Sequence, residues 1–332
     1  EDDFVCPAAL ARPEVIVATS MVGECRSLLP RGWRDLPIVL YMHENQAAYP
    51  FRQTRRVEVE RDHHYAMTNL QSILAADLVV WNSTWNLDSF CRAIEILLAR
   101  SSDGVLQGVE RRIRDRSTVI WPPVARPPVL HNSRSDGFPD PANTRERPVR
   151  ILWPHRWEHD KGPETLFRLA RWLRARSPGR YRWTILGERF QRIPEAMSAF
   201  LDDFQADLDH VGWVPERAEY WAHLGRCDWV LSTARHEFFG LAVVEAMLAG
   251  CLPWLPNRLS YPEITPKVAR GLHPGNHPKD PGALRRAIRD HLEATTPQHA
   301  ARAMDDAVDH LIGGSSTPQA PPASGSPIMD IT

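Results

Sequence analysis

Short apolar segments alternate with amphipathic helical patterns along most of the chain. Four of these segments lie in the first third, and each ends in polar or proline residues, which is typical of buried parallel strands. Helical patterns lie between them, so the first third predicts a parallel α/β layer. The segments are 15–18, 38–42, 78–81 and 118–121.

A second series of the same kind begins at Val149. Apolar segments again alternate with helical patterns, and together they predict a second, doubly wound layer of about five strands. The predicted strands are 149–153, 182–186, a short segment at Val211, and 229–231, and the predicted helices are 163–176, 195–206 and 216–225.

The pattern is interrupted between the two layers and again at the end of the chain. Residues 122–148 are polar and rich in proline, without periodicity, which indicates an extended linker. Residues 313–332 are rich in glycine, serine and proline, which indicates a disordered tail. We therefore predict a first domain at 1–125, a linker at 126–148, a second domain with closing helices at 149–312, and a tail at 313–332.

The segment 229–251 predicts one complete unit of strand, loop and helix. An apolar strand runs into a polar loop, and a helix begins after Gly240 and ends near Gly250. The first backbone N–H groups of such a helix have no partner within the helix, which makes Phe239, Gly240 and Leu241 a candidate anion cradle. The apolar face of this helix is predicted to carry Leu241, Val244, Met247 and Leu248.

Two carboxylates flank this cradle, Glu237 in the loop and Glu245 inside the helix. A carboxylate accepts two hydrogen bonds from a vicinal diol, so the pair suits a ligand that carries both phosphate and sugar hydroxyls. The alternative is structural: Glu237 then interacts with the helix dipole, and Glu245 is a solvated helix residue. Because Glu245 stands between Val244 and Ala246 in a mostly apolar helix, we expect it to be buried and to have a partner.

Composition narrows the classes of function. Of the 332 residues, 43% are hydrophobic and 24% are charged, which indicates a soluble globular protein of two domains. No apolar run approaches the ~20 residues of a membrane span, and no secretory leader is visible. The five cysteines are scattered without a C-x-x-C pair, which favours a reduced, cytoplasmic protein without structural zinc. A net charge of -1 neither requires nor excludes a nucleic-acid partner.

Four segments, in order along the chain, carry a family resemblance. They are YMHENQ at 41–46, WPHRWEHDKGPE at 153–164, STARHEFFG at 232–240 and YPEI at 261–264. Together they resemble the tRNA-queuosine mannosyltransferase family, and Glu237 with Glu245 resembles the paired glutamates of retaining, family 4-like glycosyltransferases. The resemblance implies an α/β protein of the GT-B class, with two doubly wound Rossmann-like domains that face a cleft. It also implies transfer of mannose from GDP-mannose, with retention, to queuosine in a tRNA anticodon loop.

The resemblance assigns roles to single residues. Arg156 and Lys161 would hold the diphosphate, Glu237 the sugar hydroxyls, Glu245 the ribose, and His43 the reacting sugar. A cation pair and helix N–H groups can stabilise the charge on a departing diphosphate, so we expect neither a cofactor nor a metal. Only three of the 40 basic residues are lysines, and the compact charge of a lysine suits this role. The other predicted donor contacts are Gly187, Gly212, Phe238, Phe239, Gly240 and Leu241.

Other interpretations of these residues stay open. Gly187 and Gly212 stand at strand ends, where a backbone can approach a ribose or base, but a tight turn is the more common explanation of either one. His155 and His159 have the i, i+4 spacing of zinc ligands, yet they follow a strand and a proline, which disfavours zinc. A lone histidine after a strand, such as His43, is more often a structural residue.

Polar residues at the carboxyl ends of the first layer's strands predict a ligand site there, and the family resemblance implies that it is the acceptor side. The arginines of the segment 51–65 suit RNA phosphates, although interleaved acidic residues make a solvated helix face an equal alternative. The predicted acceptor contacts are His43, Glu44, Asn45, Arg52, Arg55, Arg56 and Asn82.

The chain departs from the family pattern at its start. It opens on Glu-Asp-Asp, and the family's first strand and Gly-Gly-Ser-His loop have no counterpart, so we expect an incomplete amino-terminal domain. Two alternative functions remain. One is a glycosyltransferase of the same fold that acts on a lipid, a glycan or a small molecule. The other is a non-catalytic remnant that binds sugar nucleotide or RNA, against which the intact predicted site residues argue.

Overall fold

The computed structural model describes residues 12–20, 25–48, 56–99, 107–127, 147–189, 192–276 and 278–313. The chain divides into two units. The first combines Glu1–Ile120 with Arg302–Thr332, and the second is Trp121–Ala301. Most of the predicted linker, at 128–146, and most of the predicted tail, at 314–332, lie outside the described residues.

Parallel strands form the sheet of the first unit, in the order β1-β2-β3-β4. The four predicted strands are confirmed, with small shifts at their ends. The strands are β1 (Ile16–Thr19), β2 (Ile38–Met42), β3 (Leu78–Trp81) and β4 (Ser117–Val119). The helices are α1 (Cys25–Leu28), α2 (Arg56–Ala75), α3 (Thr84–Leu98) and α4 (Val109–Arg114).

Parallel strands also form the sheet of the second unit, in the order β7-β6-β5-β8-β9. The helix predicted at 163–176 is confirmed, while the helix predicted at 195–206 ends at Asp203 and a short 3-10 turn follows it. The strands are β5 (Val149–Pro154), β6 (Tyr181–Leu186), β7 (Leu208–Gly212), β8 (Trp229–Leu231) and β9 (Leu252–Trp254). The helices are α5 (Pro163–Arg176), α6 (Glu195–Asp203), α7 (Arg217–Arg226), α8 (Leu241–Leu248), α9 (Tyr261–Ile264), α10 (Pro281–His291) and α11 (Pro297–Ile312).

Different parts of the chain cover the two faces of the first sheet. Because side chains alternate along a strand, Leu40 packs on one face with α2, α3 and α4, while Val39 packs on the other. Residues of α11, including Met304, cover this second face. The end of α11 therefore belongs to the first unit, which corrects the prediction that all closing helices belong to the second domain. The described strands of the first sheet follow the order of the chain. The doubly wound strand order, which was predicted for both units, is therefore observed in the sheet of the second unit.

The order in which strands join the second sheet reverses between β5 and β8. From β5 the chain adds β6 and β7 on one side, and it then returns to add β8 and β9 on the other. Loops at the carboxyl ends of the strands beside such a reversal form the usual ligand crevice of open α/β sheets. Here the two loops are 155–162, with Arg156 and Lys161, and 232–240, with Glu237.

Helix α8 is buried on most of its surface rather than along one stripe. Val243 and Ala246 are buried together with three of the four predicted apolar positions, whereas Leu241 is 50% exposed. The difference arises because α8 contacts β8, β9, α7 and α10, while Leu241 stands at its first turn. Gly250 follows the helix end in a left-handed conformation, and the N–H of Cys251 donates to the carbonyl of Ala246 at 3.0 Å, which closes the helix as predicted.

No helix in the described part of the chain is long and apolar enough to cross a bilayer. The side chains of Cys91, Cys227 and Cys251 are buried thiols. Burial raises the pKa of Cys91 to about 12, so this thiol is not reactive near neutral pH.

Two glycines at the carboxyl ends of neighbouring strands, Gly187 after β6 and Gly212 at the end of β7, offer a matched test of backbone packing. A Cβ built on Gly187 would lie 2.1 Å from the carbonyl oxygen of His155, whereas a Cβ on Gly212 would meet nothing within 4 Å. Both glycines have positive φ. We expect Gly187→Ala to lower the free energy of unfolding by about 3 kcal/mol or more, and Gly212→Ala by about 1–2 kcal/mol from the backbone conformation alone. If urea denaturation showed that the two variants lose the same free energy of unfolding, this prediction would be contradicted.

Candidate functional site

Hydrogen bonds tie the loop after β5 to the loop after β8. The hydroxyl of Thr233 donates to the carbonyl oxygen of Lys161 at 2.7 Å, and the ammonium of Lys161 donates to the carbonyl oxygen of His236 at 3.1 Å. Gly162 permits this approach, because a Cβ there would lie 2.3 Å from the carbonyl oxygen of Thr233. The reversal of the sheet thus brings the two loops into direct backbone contact.

The ammonium of Lys161 lies between two carboxylates. Its Nζ is 3.1 Å from Asp160 Oδ2 and 3.5 Å from Glu237 Oε2, and the side chain is only 11% exposed. Two residues that were predicted to serve the donor site, Lys161 and Glu237, therefore meet. A buried charge needs such partners, and the partners hold the ammonium in one position.

Arg156 belongs to the same loop as Lys161 but projects into solvent. Its side chain is 54% exposed, and its guanidinium lies 3.5 Å from the carboxylate of Glu158. An exposed ion pair of this kind contributes about 0–1 kcal/mol. The guanidinium of Arg156 can therefore turn to an anion at little cost in stability.

Tyr261 supports the loop that carries Glu237. The sequence indicated Tyr261 only as part of the YPEI segment, whereas the structure buries it and brings its hydroxyl within 2.5 Å of the Ser232 hydroxyl. Burial and the nearby charge of Glu237 raise the pKa of Tyr261 well above its usual value. A Cβ on Gly240 would lie 3.4 Å from the Tyr261 ring and 3.6 Å from the Glu237 side chain. The tyrosine thus fills the space beneath the turn at Gly240.

Two neutral histidines lie in the electrostatic field of Lys161. Burial and this charge lower the pKa of His155 to about 3 and the pKa of His236 to about 4. His155 is buried while the side chain of His159 is 65% exposed, so the two do not share a site as the i, i+4 spacing would require. Among the described residues, no group of three possible metal ligands occurs.

Glu245 has the partner that its apolar surroundings predicted. Its side chain is 14% exposed. One carboxylate oxygen accepts a hydrogen bond from the guanidinium of Arg217, and the other accepts one from the hydroxyl of Tyr220 at 2.7 Å. Spacing along the chain did not indicate either partner, because both belong to a different helix, α7.

The predicted anion cradle is the start of α8. Gly240 is the N-cap residue, with a φ of 95° that favours glycine. Phe238 and Phe239 are buried, so these two predicted donor contacts can reach a ligand through their backbone and not through their rings. Of the two strand-end glycines, Gly187 packs against the backbone of His155, which explains it without a ligand, and Gly212 faces open space.

In the first unit, His43 and Glu44 are exposed at the end of β2. The ring of His43 lies 4.6 Å from the ring of Tyr41, between centroids. The side-chain amide of Asn82 donates to the backbone carbonyl of His43 at 2.6 Å. Asn82 therefore holds the loop that presents His43.

Asn45 does not fit its predicted role as an acceptor contact. It is fully buried, and its amide nitrogen donates to the side chains of Asn86 and Ser89. Its side-chain oxygen accepts from the N–H of Ala48 at 2.7 Å. Because both polar atoms of the amide are bonded within the first unit, Asn45 is a structural residue.

The predicted arginine patch lies largely outside the described residues. Arg52 and Arg55 are outside them, and Arg56 is the first residue of α2, with a side chain that is not described. The contribution of these arginines to acceptor binding stays a prediction.

Two family models match the chain. The model of the tRNA-queuosine alpha-mannosyltransferase N-terminal region matches residues 5–124, and the model of glycosyl transferases group 1 matches residues 136–306. A tRNA-queuosine alpha-mannosyltransferase of Drosophila melanogaster is 36% identical over 231 residues, which are 69% of this chain and 59% of that protein. The chain thus spans less than two thirds of this relative, and the predicted family resemblance is confirmed.

Solved structures of low sequence identity share the fold. A sucrose-phosphate synthase from Thermosynechococcus elongatus is 16% identical with a TM-score of 0.60, over 91% of this chain and 74% of that chain. An alpha,alpha-trehalose-phosphate synthase (UDP-forming) from Burkholderia xenovorans is 13% identical, with the same TM-score of 0.60, over 91% of this chain and 74% of that chain. These likenesses concern the fold alone and, with the family match, confirm the predicted α/β fold of the GT-B class.

The depressed pKa of His155 predicts a pH dependence of stability. Between pH 6.5 and pH 3 the unfolded chain binds a proton at His155 and the folded protein does not, so stability falls as the pH decreases below about 6.5. In urea denaturation, the free energy of unfolding should decrease between pH 7 and pH 5 in both proteins. We expect this decrease to be about 2 kcal/mol smaller in His155→Gln than in the unaltered protein. His159→Gln, at an exposed position, is the control. An unchanged pH dependence in His155→Gln would contradict a neutral, buried imidazole.

Proposed function

This chain belongs to the glycosyl transferases group 1 family, and we propose that it transfers mannose from GDP-mannose, with retention, to queuosine in tRNA. The match of residues 5–124 to the N-terminal region of tRNA-queuosine alpha-mannosyltransferases supports this acceptor, and so does the Drosophila relative. The partners of the reaction are then a sugar nucleotide and a tRNA anticodon loop.

One observation carries the donor half of the proposal. Lys161 and Glu237, from separate loops, lie within 3.5 Å of each other where the sheet reverses, and Gly240 at the start of α8 packs against Glu237. An ammonium attracts a diphosphate, a carboxylate accepts sugar hydroxyls, and the N–H groups of a helix start favour an anion. The three groups together suit a sugar nucleotide.

The positive charges of the site act on the leaving group. When the bond between the mannose anomeric carbon and the phosphate oxygen breaks, negative charge develops on the diphosphate. Lys161 is already fixed by Asp160 and Glu237, so it stabilises this charge without being reorganised. Arg156 is exposed and turns to the diphosphate when the donor binds. In this proposal the two cations take the place of a divalent metal ion.

The acceptor half depends on the end of β2. His43 is exposed there, and Asn82 holds its backbone carbonyl, so its imidazole is presented from a fixed loop. The family resemblance supports a role for His43 at the reacting sugar. Retention requires that the oxygen of the queuosine hydroxyl bonds to the anomeric carbon on the face of mannose from which the diphosphate departs, and the proton of that hydroxyl goes to the departing diphosphate.

Removal of either cation should slow transfer. We expect Arg156→Ala and Lys161→Ala to lower turnover at least ~100-fold, the scale of losing one preorganised electrostatic contact. Because Arg156 is exposed, its variant should fold normally, which thermal unfolding checks. Lys267→Ala, at an exposed lysine outside the site, is the matched control. Unchanged turnover in the first two variants, or loss of activity in excess EDTA that Mg²⁺ or Mn²⁺ restores, would contradict the proposed chemistry.

The acceptor can be tested with two preparations of one tRNA. Labelled GDP-mannose is incubated with the protein and with tRNA that contains queuosine or has guanosine at that position. We expect label to enter only the queuosine-containing tRNA, because the cyclopentene hydroxyls that accept the sugar are absent from guanosine. Equal labelling of both preparations, or transfer to a lipid or glycan fraction instead, would exclude this acceptor and leave the donor site unaffected.

A further inference from the structure

Both carboxylate oxygens of Glu245 have a protein partner, and both partners lie at the start of α7. The hydroxyl of Tyr220 donates to Oε2 at 2.7 Å, and the guanidinium of Arg217 donates to Oε1. Arg217 and Tyr220 are neighbours on the surface of one helix, so a single helix end contacts the whole carboxylate.

Tyr220 is a permanent donor in this pair. Burial of the phenol, followed by the adjacent charge of Glu245, raises the pKa of Tyr220 above its ordinary value. The hydroxyl therefore keeps its proton at any pH near neutrality, and its hydrogen bond to Glu245 does not titrate. The hydrogen bond defines the rotation of the carboxylate about its last side-chain bond.

Arg217 offsets the charge of Glu245. Its guanidinium carbon lies 5.0 Å from the ring centroid of Tyr220 and 4.9 Å from that of Trp221. Two rings and one carboxylate thus hold a side chain that is 54% exposed. Without this cation, Glu245 would repel a diphosphate bound near the start of α8.

Among the described residues, the hydrogen-bond partners of Glu245 use only half of its capacity. A carboxylate offers about four lone-pair sites, and Tyr220 and Arg217 occupy two of them. The side chain of Glu245 is 14% exposed, and Leu241, one turn earlier on α8, is 50% exposed. A ligand at the start of α8 can therefore approach the remaining lone pairs from solvent.

We propose that Tyr220 is a positioning residue for the donor: its hydroxyl orients Glu245 so that the free lone pairs accept hydrogen bonds from the 2′- and 3′-hydroxyls of a nucleotide ribose. The inference rests on the proposed function, because it takes the ligand to be a sugar nucleotide and Glu245 to have the ribose role that the family resemblance implies. It requires a ribonucleoside diphosphate, but it does not depend on the base, the sugar or the acceptor.

A purely structural role for Tyr220 makes a different prediction. If the hydroxyl of Tyr220 only joined α7 to α8, its removal would disturb the site and would weaken the binding of all nucleotides equally. If the hydroxyl of Tyr220 positions Glu245 for the ribose, its removal weakens the binding only of nucleotides that carry the 2′- and 3′-hydroxyls. The comparison of GDP with 2′,3′-dideoxy-GDP separates the two roles.

The experiment is isothermal titration calorimetry of the full chain and its Tyr220→Phe variant, which keeps the ring and loses the hydroxyl. We expect Tyr220→Phe to bind GDP about 10-fold more weakly and 2′,3′-dideoxy-GDP with less than about a 2-fold change, since one hydrogen bond to a charged group is disturbed. In a Glu245→Gln background, the Tyr220→Phe change should have little further effect on GDP.

Tyr181→Phe is the matched control, because Tyr181 is a buried tyrosine of the same unit at the start of β6. We expect it to bind both nucleotides as the unaltered chain does. Equal weakening of GDP and 2′,3′-dideoxy-GDP by Tyr220→Phe, or no weakening of GDP, would overturn the positioning role alone. If the unaltered chain bound none of the three nucleotides GDP, UDP and ADP, the proposed donor function itself would be overturned.

Discussion

The close approach of two loops at the reversal of the second sheet is the constraint on which the proposed donor site depends. Gly162 has no side chain, and a Cβ there would lie 2.3 Å from the carbonyl oxygen of Thr233. The indole N–H of Trp153 donates to the Thr233 hydroxyl at 2.9 Å, and this hydroxyl donates onward to the carbonyl of Lys161 at 2.7 Å. Because these groups are buried and bonded in sequence, the loops have one arrangement, and Lys161 meets Glu237 within it.

The charged side chains of the candidate site differ in how far the fold restrains them. Lys161 is enclosed by carboxylates, and Glu245 is enclosed by Arg217 and Tyr220. Arg156, by contrast, is exposed, and its ion pair with Glu158 is exposed as well. Under the proposed function, a diphosphate would meet one cation whose position is already set and one that can adjust. This combination limits the reorganisation needed to bind an anion.

In the first unit, polar side chains at strand ends are mostly structural. Asn86 donates to the carbonyl of Met42 at 3.1 Å and to the side chain of Asn82 at 2.9 Å, and Asn82 donates to the carbonyl of His43 at 2.6 Å. These amides satisfy carbonyl groups where the sheet pairing ends. A polar residue after a strand can therefore indicate a loop anchor as readily as a ligand contact, and burial distinguishes Asn45 from the exposed His43.

The sequence alone predicts most of the elements: the strands β1 to β8, helix α5, the unit of strand, loop and helix that carries Glu237, and the need of Glu245 for a partner. Those features depend on periodicity and on neighbours a few residues apart, which a sequence displays directly. The three-dimensional structure was needed to show that α11 covers the first sheet, that Leu241 is exposed, that Asn45 is buried, and that Arg217 and Tyr220 are the partners of Glu245. The reason is that these contacts join residues far apart in the chain. They follow from strand order and from which helix covers which face, and hydrophobic periodicity carries no information about either.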